Sequence, residues 1–258
     1  MLKSRVIPCL LFQGHGLVKT IRFKNPKYVG DPVNAVRIFN EKEVDELIFL
    51  DIEASPARRG PDFNVIGEIA SECFMPLTYG GGIRTIDDMR QVFALGVEKI
   101  CLNTAAFTNP KLIEEAVRRF GSQSVLVSLD VRKGLFGGYQ TYYYSGSKKT
   151  GMDPVAAAVK LEQLGVGELI VNSIDRDGTM SGYDLGLLSS VSSAVGIPVI
   201  ALGGAGSIDH FSGAVNQAGV SAVAAGSFFV FHGKHRAVLI SYPPIGVLEQ
   251  ALGLSPED

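Results

Sequence analysis

Asp130 ends the apolar run Ser124–Asp130, and Asp177 lies just beyond the run Glu168–Ile174. Continuous runs of that kind read as strands buried on both faces, which places both carboxylates at strand ends. A carboxylate at such a rim can take a proton from a reacting group or return one, as ring closure or elimination requires. Asp51 ends another run and is a weaker candidate. Asp175 lies beside Arg176 and could simply hold the loop by pairing with it. The plain alternative for Asp130 is a loop cap.

Small residues follow several other runs. Gly80-Gly81-Gly82 and Asn103-Thr104 make one set; Gly203-Gly204, Ala225-Gly226-Ser227 and Asp177-Gly178-Thr179 make a second. Glycine after a strand lets backbone N–H groups close on a phosphate, and a following helix N-terminus adds a favourable dipole. Gly82, Asn103 and Thr104 are therefore candidates for one phosphate grip, and Gly178, Gly204, Ala225 and Gly226 for another. Two grips on opposite sides of one mouth imply an elongated small molecule with a phosphate at each end. The bland reading of the same glycines is tight turns.

The elements that must position these groups follow from the hydrophobic pattern. Eight short apolar runs, Arg5–Leu11, Glu46–Asp51, Met75–Gly80, Lys99–Asn103, Ser124–Asp130, Glu168–Ile174, Pro198–Leu202 and Val220–Ala225, alternate with helix-like stretches such as Pro32–Glu43, Ile86–Leu95, Pro110–Phe120 and Pro154–Leu164. Asp31-Pro32, Asn109-Pro110 and Asp153-Pro154 are helix-opening signals. Eight strand–helix units without a long linker predict one (β/α)8 TIM barrel over residues 1–258, with an open doubly wound sheet as the alternative. The halves are alike: Glu46-Leu47-Ile48 matches Glu168-Leu169-Ile170, and Gly81-Gly82…Ile86-Asp87 matches Gly203-Gly204…Ile208-Asp209 at the same offset. Leu10-Leu11 lines up with Leu129-Asp130. A two-fold half-barrel repeat thus predicts an acidic partner for Asp130 at position 11, where the chain has Leu11, which can neither accept nor donate a proton. The Tyr142-Tyr143-Tyr144 run is expected in a hairpin loop after the fifth strand, able to pack or help cover the site.

Composition narrows the function. A net charge of −2, from 24 basic and 26 acidic residues with no basic run, argues against bulk binding of nucleic acid or an anionic membrane. Three scattered cysteines without a CxxC pair fit a reducing cytoplasm, with Cys9 and Cys101 packing inside apolar runs. His15, His210, His232 and His235 have no metal-ligand spacing, so neither metal nor cofactor is expected. No segment approaches ~20 uninterrupted apolar residues.

VIPCL, DELIFLDIEAS, PLTYGGGIR, KICLNTAAF, SIDRDGTMSGYD and GGAGSIDHF, spread from Arg5 to Ser227, resemble the cyclase subunit of imidazole glycerol phosphate synthase, the HisF family of histidine biosynthesis. The resemblance implies a glutaminase (HisH-like) subunit docked at the barrel's bottom. It implies ammonia passing through the barrel to a bisphosphorylated substrate at the top, and two catalytic aspartates. One falls on Asp130 and the other on Leu11. Lys19 survives from the family's first-loop pattern, which LLFQGHGLVKT otherwise departs from. Asn172, Leu202 and Gly226 replace the usual Thr, Ser and Ser, and the tail after His232 does not match. The family's ring of gate residues falls on Arg5, Glu46, Lys99 and Glu168, each with the family's residue type, with Asp45 and Glu98 beside it as possible partner contacts.

An intact bottom under an altered top implies a divergent paralogue. Paralogues resembling this chain accompany surface-polysaccharide clusters, where ammonia serves to amidate a sugar that a third enzyme activates. A true histidine-pathway cyclase, using Asp130 with Asp177, is one alternative. A phosphate-binding barrel without ammonia transfer is another.

Overall fold

The computed structural model describes residues 4–134 and 137–253; residues 1–3, 135, 136 and 254–258 of the expected 1–258 span lie outside them. Eight strands form the centre: β1 Arg5–Gln13, β2 Leu47–Asp51, β3 Leu77–Gly80, β4 Lys99–Leu102, β5 Val125–Lys133, β6 Glu168–Ser173, β7 Val199–Leu202 and β8 Ala222–Ala225. Each pairs in parallel with the next, and β8 pairs back onto β1 with Arg5 opposite Ala222. The sheet is therefore a closed (β/α)8 barrel, and the open-sheet alternative is excluded.

Helices α1 Pro32–Glu41, α2 Phe63–Glu72, α3 Ile86–Ala94, α4 Pro110–Phe120, α5 Pro154–Gln163, α6 Leu185–Ser192, α7 Ile208–Ala218 and α8 Ile245–Leu252 follow the strands. Local chemistry starts most of them. Asp31 accepts the Asn34 N–H at 2.8 Å, and Asp153 accepts those of Val155 and Ala156 at 3.0 Å. Thr85 and Asp88 cap α3 reciprocally. Asn109 makes no side-chain cap, so Pro110 alone supplies the opening signal of α4.

Strand alternation sends side chains to two cores. One lies between strands and helices and includes Phe39, Phe49, Tyr79, Phe211 and Phe229. The other fills the barrel axis with Ile7, Cys9, Ile48, Cys101, Leu126, Ile170, Ile200, Leu202, Ala222 and Ala224, with Leu11 and Leu50 packed on it. The half-repeat is visible in backbone shape. Gly81 and Gly82 have φ of 134° and 71°, and Gly203 and Gly204 have 88° and 117°. All four are in the region that favours glycine.

Three segments differ from expectation. β1 continues past Leu11 to Gln13 and turns into antiparallel strands Gly16–Ile21 and Lys24–Gly30 where a loop was expected. β5 likewise continues and pairs with Tyr139–Tyr143, so Tyr142 and Tyr143 belong to a strand and only Tyr144 sits in the turn, at φ 59°. The unmatched tail folds back, and the Tyr242 hydroxyl donates to the Val6 carbonyl at 2.9 Å.

Phe211 is fully buried among Tyr183, Phe228 and Phe229. Phe211→Ala should cost about 3–5 kcal/mol in urea unfolding, as other large-to-small core changes do.

Candidate functional site

The bottom of the barrel is closed by charge. Arg5 opens β1, Lys99 opens β4, Glu168 opens β6, and Glu46 immediately precedes β2. Inward register brings the four together. Arg5 Nη1 lies 2.6 Å from Glu46 Oε2, and Arg5 Nη2 binds Glu168 Oε1. Lys99 Nζ is 2.9 Å from Glu46 Oε2 and 3.4 Å from Glu168 Oε2. Thr78, which motif reading missed, donates its hydroxyl to Glu46 Oε1 at 2.8 Å. It occupies the inward register between Ile48 and Lys99, the signal that could have found it. Burial opposes the Arg5 charge, but the hydrogen bond and charge of Glu168, joined by Glu46, hold the guanidinium above its ordinary range. Asp45 and Glu98 are engaged within the chain, accepting the Val6 and Leu77 N–H groups at 2.9 and 2.7 Å.

At the opposite, C-terminal end of the strands lies a cavity of about 730 Å³. Leu11, Lys19, Gly82, Asn103, Thr104, Asp130, Asn172, Asp177, Leu202 and Gly226 all line it. Its floor reaches Cys9 and Cys101 in the axial core. The barrel thus unites Asp130, Asp177 and Leu11 at one mouth. Gly178, Gly204 and Ala225 do not line the cavity. A Cβ on Gly178 would run into the Thr20 carbonyl, and one on Gly204 into that of Gly182, so both glycines serve close backbone packing. Of the second set of small residues, Gly178 is covered by the chain's own first hairpin and Gly204 by the loop after β6, while Asp177, Gly226 and Ser227 line the mouth. Lys19 sits under Gly226 and donates to the Cys9 carbonyl at 2.6 Å. Burial lowers its ammonium from the usual lysine range, while Cys9 and Asp177 oppose the shift.

The first set faces the cavity more fully. Gly82 packs on the Arg59–Gly60 backbone, and Arg58 and Arg84 line the same side. Asn103 donates to the Ser128 carbonyl at 2.9 Å, and Thr104 accepts the Tyr144 N–H at 3.2 Å. Asp51 accepts the Glu53 and Ala54 N–H groups at 3.1 and 3.0 Å and pairs with Arg59 at 2.8 Å, so it holds its loop. Asp175 does hold a loop, but by accepting the Lys133 N–H at 2.8 Å; Arg176 turns away to the Gly182 carbonyl.

Asp130 is 7% exposed. Burial pushes its carboxyl up to about 7, and the hydrogen bonds from Ser128 and Asn172 only partly offset this. Ser128 Oγ donates at 3.1 Å and Asn172 Nδ2 at 3.5 Å, both to Oδ1. Ser128 lies two residues before Asp130 on the same inward face, a period-two neighbour that motif reading passed over. Asp177 is raised too, by burial first, against the Thr20 hydroxyl bonded to its Oδ2 at 2.7 Å. Leu11 places an alkyl group in this cavity where the half-repeat calls for a second acid.

A parallel barrel with a paired charge ring at one end and a carboxylate-bearing mouth at the other defines a (β/α)8 protein built around its axis. The family model described as "Histidine biosynthesis protein" matches residues 5–236, and the chain belongs to that family, in its HisF branch. It is 55% identical over 249 residues to "Putative imidazole glycerol phosphate synthase subunit hisF2" of Pseudomonas aeruginosa, covering 96% of this chain and 99% of that protein. It is 49% identical to "Putative imidazole glycerol phosphate synthase subunit hisF3" of Vibrio vulnificus, over 98% of both. Against "Imidazole glycerol phosphate synthase subunit HisF" of Alkaliphilus metalliredigens it is 44% identical, over 90% of this chain and 92% of that one.

Two outcomes follow from these electrostatics. Glu46→Ala leaves Arg5 and Lys99 short of an acceptor and should destabilise the fold by on the order of 3 kcal/mol in urea titrations. Asp130, raised from 3.8 to about 7, binds its proton more tightly when folded. Its contribution to stability is therefore favourable below pH about 7 and declines as pH rises from about 4 to about 7. Asp130→Asn should melt higher than the native chain above that window, with the difference vanishing below it.

Proposed function

We propose that this HisF-like subunit receives ammonia from a glutaminase at the charged ring and passes it along the barrel axis to the mouth. There the nitrogen serves amidation of a sugar in surface-polysaccharide synthesis, on an acceptor activated by another enzyme. The observation that carries this reading is the retained ring beneath a mouth that has Leu11 opposite Asp130. Arg5, Glu46, Lys99 and Glu168 act as the gate, with Thr78 holding Glu46. Gly82, Asn103 and Thr104 form the anion-binding side of the mouth, and Lys19 and Gly226 its other wall. Gly178, Gly204 and Ala225 support that wall from behind.

Losing one acid–base group costs roughly 10²–10⁴-fold in rate. A histidine-pathway cyclase would need Asp177 as the substitute. Its Oδ2 is already bonded to Thr20, which favours the conduit reading. A phosphate-binding barrel without ammonia transfer leaves the paired ring a structural task alone.

Phe74, 86% exposed, lies in the loop leading into β3 on the ring's side of the barrel and suits a docked glutaminase. Size-exclusion chromatography with a HisH-type glutaminase should show a complex, with glutamine hydrolysis accelerated on association. Phe74→Asp should weaken that complex at least about tenfold, or ~1.4 kcal/mol. No association with any such glutaminase, ring residues intact, would count against ammonia transfer.

A further inference from the structure

Along the barrel axis, the charged ring is followed by the apolar layer of Ile7, Ile48, Leu126, Ile170 and Ile200. The first polar side chains above that layer are Ser128, Asp130 and Asn172, held side by side because Ser128 faces Ile170 and Asp130 faces Asn172 across β5 and β6. Their hydrogen bonds are lopsided. The Ser128 hydroxyl and one N–H of Asn172 Nδ2 both go to Asp130 Oδ1. Asp130 Oδ2 receives neither bond, and Asn172 Oδ1 is buried without a hydrogen-bond partner. Burying an unsatisfied acceptor costs free energy.

The neighbours cannot fill these acceptors. Leu11, Leu50 and Leu202 bring only alkyl groups to the same cavity. Of the titratable groups nearby, Lys19 gives its ammonium to the Cys9 carbonyl, Asp177 accepts from Thr20, and the Cys101 thiol, held protonated by burial, is engaged by the Ser128 backbone. An unpartnered buried acceptor beside a carboxyl that can hold or give up a proton suits a guest that brings N–H groups and is small enough for the barrel throat.

We propose that Asp130 Oδ2 and Asn172 Oδ1 form an ammonium-binding site between the apolar interior and the mouth. Nitrogen arriving as ammonia takes the proton of the Asp130 carboxyl. The O–H bond breaks, an N–H bond forms on the ammonia lone pair, and a carboxylate–ammonium pair remains; release as ammonia returns the proton. Burial keeps Asp130 near 7, so both of its forms are populated around neutral pH. Delivery through the barrel rests on the conduit reading above. Binding of ammonium from solution does not.

The test uses the whole chain with Asp carboxyl carbons labelled with carbon-13, titrated by NMR in ammonium chloride and in an equal concentration of tetramethylammonium chloride, whose cation is too bulky for the throat. The Asp130 midpoint should fall by about 1 pH unit in ammonium, as an adjacent cation dictates. Asn172→Leu should remove more than half of that drop. Equal midpoints in the two salts, or an undiminished drop in Asn172→Leu, would overturn the proposal. Crystals of the native chain soaked in thallium(I) acetate, whose cation matches ammonium in size, give a check that needs no variant. Anomalous density between Asp130 and Asn172 supports the site, and its absence there refutes it. An ammonium-dependent midpoint in a chain that binds no glutaminase leaves the site standing and removes the conduit. Glutaminase binding with equal midpoints does the reverse.

Discussion

Closing eight parallel strands into a barrel fixes which residues share the axis. Side chains alternate along each strand, and neighbouring strands are in register, so an inward residue on one strand has inward residues beside it all the way round. One register therefore sets both ends. From Arg5 it leads through Ile7 and Cys9 to Leu11, and from Glu168 through Ile170 to Asn172. A slip of one residue in any strand would send its share of the ring and of the mouth into the helix-facing core. The helices, caps and aromatic clusters outside the barrel matter to function mainly because they hold that register.

The two ends solve opposite electrostatic problems. At the bottom two cations and two carboxylates neutralise one another, and Glu46 is satisfied from three directions by Arg5, Lys99 and Thr78. At the top Asp130 stands in a leucine-lined throat with hydroxyl and amide donors but, among the described residues, no paired cation, and burial drives its carboxyl toward neutrality. An acid dyad at positions 11 and 130 could divide proton transfer between two groups. With Leu11 in place, the mouth keeps one titrating carboxyl on the axis and a second, Asp177, tied to the hairpin.

Much of this was legible in the sequence because the information is local or periodic. Continuous apolar runs marked all eight strands, and the twin Gly-Gly pairs marked the half-repeat that makes Leu11 conspicuous. The resemblance located the ring, and register alone would have added Thr78 and Ser128 by counting in twos. What could not be read was how loops fold over the mouth. Whether Gly178 opens to a ligand depends on the hairpin formed by residues 16–30, whose alternation, Leu17 and Val18 both buried, is broken by irregular pairing, and Gly204 depends on how the loop after β6 brings Gly182 against it. The partners of Asp175 and Arg176 were misjudged for the same reason, since adjacent residues on a turn point apart.

The central claim is that the mouth no longer performs efficient cyclisation. It is tested most directly by turnover of the bisphosphorylated ribulosyl intermediate of imidazole glycerol phosphate synthase, driven by excess ammonium salt at alkaline pH, with the native chain beside Leu11→Asp. The account predicts negligible turnover by the native chain, with any gain in Leu11→Asp measuring how much of the original chemistry that one position removed. Turnover by the native chain at an ordinary enzymatic rate would contradict it and make the protein a working cyclase with a relocated proton shuttle.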